Sequence, residues 1–160
     1  MIYFKRLCLA TLLAASPCVA FAASTITVKL DDTADGMDMS QNLGLGMGMK
    51  GDMSKSTMSV KINNRQAARG KVTFNVTNLS KTMIHEMLVA PIKDENTPLP
   101  FIAKDNKVDE DAAKDLGEVS ELDPGKSGSV TFDMKPGKYI LYCNVPAHYM
   151  AGMWTVIEVK

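Results

Sequence analysis

KVTFNVTN, residues 71–78, places Val72, Phe74 and Val76 on one face of an extended chain and Lys71, Thr73, Asn75 and Thr77 on the other. A period of two with one apolar side describes a strand that covers a core on one face and meets water on the other. SVTFDM, residues 129–134, repeats the pattern, with Val130, Phe132 and Met134 set against Ser129, Thr131 and Asp133. Working outward, STITVKL (24–30) and TMSVKI (57–62) alternate well enough for two early strands. MIHEMLVAP (83–91), KYILYC (138–143) and MWTVIEV (153–159) are more uniformly apolar strands. The turns DPGK (123–126) and KPGK (135–138) join the later ones, Pro setting the backbone and Gly taking the positive angle. About eight short strands with one-sided alternation predict an all-β, antiparallel two-sheet Greek-key sandwich. One short helix is expected over 105–116, because Val108, Ala112 and Leu116 fall four apart and Gly117 supplies a stop.

The amino terminus reads as an export signal, residues 1–22. Lys5 and Arg6 precede an apolar run from Leu7 to Leu13, and Ala20-Phe21-Ala22 offers a cleavage site. That run is too short for a permanent membrane anchor. A single domain over 23–160 is expected, located in the periplasm. Its charge, taken from 18 basic and 18 acidic residues less the two basic ones of the signal, is 16 − 18 = −2 with neutral histidines. A nucleic-acid partner does not fit such a balance.

Cleavage removes Cys8 and Cys18 and leaves Cys143 as the one thiol in an oxidising compartment. An unpaired thiol there has to be buried inertly or occupied as a ligand. Its surroundings favour the second. Tyr142 to Met153, YCNVPAHYMAGM, contains Cys143-x4-His148-x4-Met153, and the other histidine, His85, lies on a β segment 143 − 85 = 58 positions upstream. Two imidazoles and a thiolate in a plane, with a weak axial thioether, is the donor set of blue-copper sites. Tyr139, Leu141 and Cys143 share one strand face, as do His85, Met87 and Val89, so both ligand segments can point into one interior. Zinc fits less well, since thioether is not among its usual donors. A Cys/His hydrolase lacks an orienting third group.

At these residues the chain resembles a cupredoxin, the family of plastocyanin, azurin, auracyanin and rusticyanin. Residues from about Gly70 to Lys160 match the ligand-bearing half, and the long Cys-x4-His-x4-Met loop is most like those of auracyanin and rusticyanin. The resemblance implies that His85, Cys143, His148 and Met153 bind one type 1 copper. It also implies that His148 presents its ring edge to solvent through an apolar patch, for which Pro146, Ala147, Met150 and Ala151 are the candidates. The expected function is that of a monomeric one-electron carrier, not an enzyme, meeting redox proteins by transient contact. Glu86 stands where well-known members carry Asn or Ser, so the surroundings of the ligands do not transfer from the family. Our reading of Glu86 is a carboxylate that either stabilises Cu(II) or turns toward solvent, and that makes the potential depend on pH more than in relatives.

The stretch 31–55, rich in Gly, Met and Asp, is expected to be a long loop or mobile arm. With Met58 it gathers Met37, Met39, Met47, Met49 and Met53, and its M-x-M spacing resembles the methionine motifs of periplasmic copper-handling proteins. Two readings stay open. In one the thioethers collect additional Cu(I), and the protein sequesters or delivers copper to handling partners. In the other they are adaptable filler packed on the sandwich.

Overall fold

The computed structural model describes residues 23–33 and 42–160. The expected export signal, Met37 and Met39 lie outside them. Two sheets face each other. In chain order the strands are β1 (Ser24–Asp32), β2 (Met58–Ile62), β3 (Gln66–Ala67), β4 (Gly70–Asn78), β5 (His85–Ile92), β6 (Phe101–Ile102), β7 (Lys107–Val108), β8 (Glu118–Leu122), β9 (Ser127–Met134), β10 (Gly137–Tyr142) and β11 (Trp154–Val159). The first sheet has the order β2-β1-β4-β9, the second β3-β11-β10-β5-β8, and β6 and β7 form a small separate pair.

The sheets are mixed rather than antiparallel throughout, since β1 runs parallel to β4 and β3 parallel to β11. The chain leaves β2 for the opposite sheet at β3 and returns as β4, so β4 enters in the direction of β1. Side-chain alternation is the same in both kinds of ladder, and the sequence pattern therefore does not distinguish them.

Between the sheets lie Ile26, Val28, Leu30, Val72, Phe74 and Val76 from the first and Met87, Val89, Leu141, Cys143, Ile157 and Val159 from the second. A second core covers the outer face of the second sheet, where Leu88, Ala90, Ile140, Tyr142 and Val156 meet Met47, Leu99, Val108, Tyr149 and Met150. Being covered on both faces explains why β5 and β10 read as continuous apolar runs, whereas β9, wet on one side, alternates.

The helix is shorter than expected. It spans Glu110–Ala113, with Asp109 accepting from the Ala112 amide at its start and Lys114 in the left-handed region at its end. Lys107–Val108 instead form β7, and Asn106 takes φ 51°, which ends any helix before it.

The stretch expected as a long loop or mobile arm divides into parts. Asp31 and Asp32 continue β1, paired with Ser59 and Met58. Residues 42–56 lie on the domain instead of projecting from it: the Leu45 amide donates to Met150 O at 3.0 Å, and Trp154 Nε1 donates to Leu45 O at 2.7 Å. Its glycines allow that approach. A Cβ on Gly46 would fall 2.7 Å from the Tyr149 ring, and Gly48 has φ 73° and a Cβ on it would fall 2.5 Å from Asn96 O. Met47 fills the outer core and Met58 the inner one, Met49 is half-buried, and only Met53, 47% exposed, is open to solvent among these four. The thioethers of Met47 and Met58 are enclosed by apolar side chains of the two cores.

Candidate metal centre

The site forms where β5 begins and β10 ends, at one end of the sandwich. His85 opens β5, and the connection before it is fixed by polar side chains turned inward. Asn78, fully buried at the end of β4, donates through Nδ2 to Met83 O and Leu122 O, each at 2.8 Å, and accepts from the Ser80 amide at 2.9 Å. Ser80 Oγ accepts from the amides of Thr82 and Met83. The backbone two residues ahead of His85 is thus bonded to both neighbouring segments.

On the other side, Cys143 follows β10, and its amide donates to Met153 O at 3.1 Å, closing the loop. Asn144 anchors that loop to β7: its Oδ1 accepts from the Val108 amide at 2.7 Å, and its Nδ2 donates to Val108 O at 3.1 Å and to Glu110 Oε1 at 2.7 Å. Ala147 adopts φ 73° and donates its amide to Asn106 O. The chain then coils through a 3-10 turn at Tyr149–Ala151, stops at Gly152 with φ 92°, and returns as Met153, whose amide donates to His148 O at 3.1 Å.

These constraints bring three donors together. His85 Nδ1 and His148 Nδ1 are 3.1 Å apart, and Cys143 Sγ is 3.3 Å from His148 Nδ1 and 3.9 Å from His85 Nδ1. All three side chains are buried, and their ligating atoms lie within 4.8 Å of one another. Met153 is fully buried on the same loop. The Glu86 amide donates to Cys143 Sγ at 3.5 Å, so this position ties the two ligand segments through its backbone. The Glu86 side chain is buried as well, at 6% exposure, and among the described residues its Oε1 has no partner.

Burial dominates the electrostatics. It pushes the Cys143 thiol up to about 12, against the pull of the amides of Glu86 and Val145. It pushes His148 down to about 3, with His85 adding to the effect, and it lowers His85 despite the nearby Asp32 carboxylate. Glu86 is raised to about 7, first by burial and then by Glu118. The centre as folded groups an uncharged thiol and two uncharged imidazoles within hydrogen-bonding reach of one another. Two nitrogens and one sulfur in that relation, with a thioether nearby in sequence, fit a borderline-soft cation such as copper.

Sequence reasoning missed three residues that hold this geometry. Asp32 Oδ2 accepts from His85 Nε2 at 2.9 Å, and Asn78 and Asn144 act as described above. Asp32 had a signal: in STITVKLDD the inward series Ile26, Val28, Leu30 extends by the same period of two to Asp32. The expected apolar surface is also altered. Pro146 is exposed, but Ala147, Met150 and Ala151 are buried and His148 is only 3% exposed. The segment around Leu45–Ser56 lies against this loop, Ser56 Oγ donating within 2.9 Å of Ala151 O.

Comparison with known proteins agrees with this architecture. A profile described as copper binding proteins, plastocyanin/azurin family, matches residues 46–160, and the chain belongs to that family, the cupredoxins. Among solved structures, rusticyanin from Thiobacillus ferrooxidans superposes with a TM-score of 0.55 at 14% identity, covering 88% of this chain and 79% of rusticyanin. Auracyanin A, a "blue" copper protein from Chloroflexus aurantiacus, gives 0.50 at 17% identity, covering 87% of this chain and all of its own, 100%. At such identities the likeness concerns the fold. No curated protein matches the sequence significantly.

Proposed function

We propose that His85, Cys143, His148 and Met153 hold one type 1 copper and that the protein carries single electrons between redox partners outside the cytoplasm, after removal of residues 1–22. The observation that carries this reading is the convergence of Cys143 Sγ on the Nδ1 atoms of His85 and His148. Copper bound there would supply one-electron redox chemistry. The residues supply the rest: the thiolate and imidazoles suit both oxidation states, and the buried loop excludes water from them. Because each donor is fixed by its own strand or turn, little has to move when charge changes. No helix among the described residues is long and apolar enough to cross a membrane.

The test is one equivalent of Cu(II) followed by optical and spin-resonance spectra. An intense visible sulfur-to-copper band with narrow hyperfine splitting is expected, and Cys143→Ser should abolish it at unchanged strand content. A colourless one-to-one complex would reject the reading.

A second reading, copper sequestration or delivery, is favoured by the burial of His148 and by the exposed thioether of Met53, whose Cε lies 3.4 Å from where a Cβ on Gly152 would sit. Replacing Met37, Met39, Met49 and Met53 by Leu separates the two readings. Extra Cu(I) bound only by the parent, with slow electron exchange, supports handling; one copper in both with fast exchange supports the carrier.

A further inference from the structure

We infer that Asp32 is a positioning residue for the proposed centre: its carboxylate, reaching across from the first sheet, holds the His85 ring with Nδ1 turned to Cys143 and His148 and raises that ring's donor strength. The inference rests on the copper reading of the site. Its basis is geometric. Asp32 ends β1, in the sheet opposite β5, and its inward register continues Ile26, Val28 and Leu30. The Asp32 side chain is 6% exposed and that of His85 is fully buried, so the 2.9 Å contact between Oδ2 and Nε2 is sheltered from water.

A carboxylate can only accept here, so Nε2 carries the proton, and Nδ1, 3.1 Å from His148 Nδ1, retains its lone pair for a cation. This selects the ligating nitrogen and stops the ring from flipping. A carboxylate behind an imidazole also makes it a stronger donor, and outer partners of this kind alter metal affinity by about 10–100-fold. A stronger, anionic-leaning donor favours the more highly charged ion, so Asp32 should raise Cu(II) affinity more than Cu(I) affinity. It thereby lowers the reduction potential. An ordinary buried tie between sheets would contribute to stability without separating the two oxidation states.

The experiment uses the full chain with Asp32→Asn and Asp32→Ala. In metal-free protein, nitrogen-edited NMR should show the His85 Nε2 proton downfield and slow to exchange. Asp32→Asn keeps an acceptor and should keep that proton; Asp32→Ala should lose it. Affinities for Cu(II) and Cu(I), each measured against a competing chelator, should show the Cu(II)-to-Cu(I) ratio falling about tenfold in Asp32→Asn, equivalent to a rise of about 59 mV for one electron. Should Asp32→Ala fail to fold, the Asn variant still decides through its ratio. A ratio within twofold of the parent, or a protected Nε2 proton surviving in Asp32→Ala, would overturn the inference. Parent protein that binds no copper defeats the copper reading, and the affinity half of the inference with it. The Nε2 proton, read without metal, decides the hydrogen bond separately.

Discussion

Asn78→Ala should be among the most damaging single changes outside the donor set, although Asn78 touches none of the four proposed ligands. The truncation removes two donors, leaving Met83 O and Leu122 O without their 2.8 Å partners, and one acceptor, leaving the Ser80 amide without its 2.9 Å partner. A buried polar group left unpaired costs about 1–3 kcal/mol. The carbonyls have second lone pairs and can be reached by water in the space vacated, so the lower half of that range applies. Three groups then give about 3–6 kcal/mol, a large part of the roughly 5–15 kcal/mol that holds a domain folded. Urea unfolding of the metal-free protein, followed by far-ultraviolet dichroism and Trp154 fluorescence, measures it as a lower midpoint at constant slope. Asn78→Asp, which keeps the acceptor but offers no donor, should lose a comparable amount. The loss should also reach the site, because Met83 O lies two residues before His85: Cu(II) affinity should fall even under conditions where the variant is fully folded. A destabilisation under about 1 kcal/mol, or a folded variant with parental affinity, would refute the argument that Asn78 fixes the approach to His85.

Further consequences follow from individual contacts. Glu86 is raised to about 7 by burial and by Glu118, so its carboxyl is neutral in both folded and unfolded protein below about pH 4.5. Stability is lost as pH rises from there through 7, where the unfolded chain ionises first; Glu86→Gln in metal-free protein should therefore gain on the parent toward pH 8, by about 3 kcal/mol at most, and a pH-independent difference would contradict it. Gly152→Ala forces a side chain onto φ 92° with its Cβ 2.4 Å from Ser56 Oγ, and should cost about 2 kcal/mol in chemical unfolding. Adding Ser56→Gly should recover only the steric part, so that the two changes couple in a double-mutant cycle. Trp154→Phe removes the 2.7 Å bond to Leu45 O, worth about 1 kcal/mol, and hydrogen exchange should quicken at the Leu45 amide, which donates to Met150 O, while β4 amides stay protected.

Alternation along 71–78 and 129–134 made the wet strands of the first sheet legible, and the Pro-Gly turns marked where they end. Parallel pairing was not legible, since β1 and β4 show the same face pattern whichever way they run. The donors were legible because their chemistry is rare: one cysteine beyond residue 22, two histidines and a methionine at a tight spacing admit few other uses. The residues that hold those donors are common types whose roles arise only from tertiary contact. Asn78 and Asn144 look like loop residues until the chain folds over them, and both are fully or almost fully buried. The path of the Gly/Met stretch was not legible for a related reason. Alternating small and large residues without a helix or strand period is what a mobile arm looks like, yet it also describes a segment in which Gly46 lets the backbone reach the Tyr149 ring while Met47 fills the space beside it.

The centre is held by separate devices on separate connections. Asp32 fixes the ring of His85 from the first sheet, Asn78 with Ser80 fixes the turn leading into His85, and Asn144 fixes the loop leaving Cys143. The contacts among the donors, 3.1–3.9 Å between neutral groups, are weaker than charge-assisted bonds and do not by themselves fix this order. A flexible loop could exchange such contacts for bonds to water by turning one ring outward. It does not do so here because each segment has a buried amide or carboxylate holding its backbone or its far nitrogen, and breaking any one of them would strand a polar group in the core. The ligand arrangement is thus held by the fold's own hydrogen bonds. A site prepared in that way resists the differing geometric preferences of two oxidation states, which is the physical condition for exchanging an electron with little rearrangement.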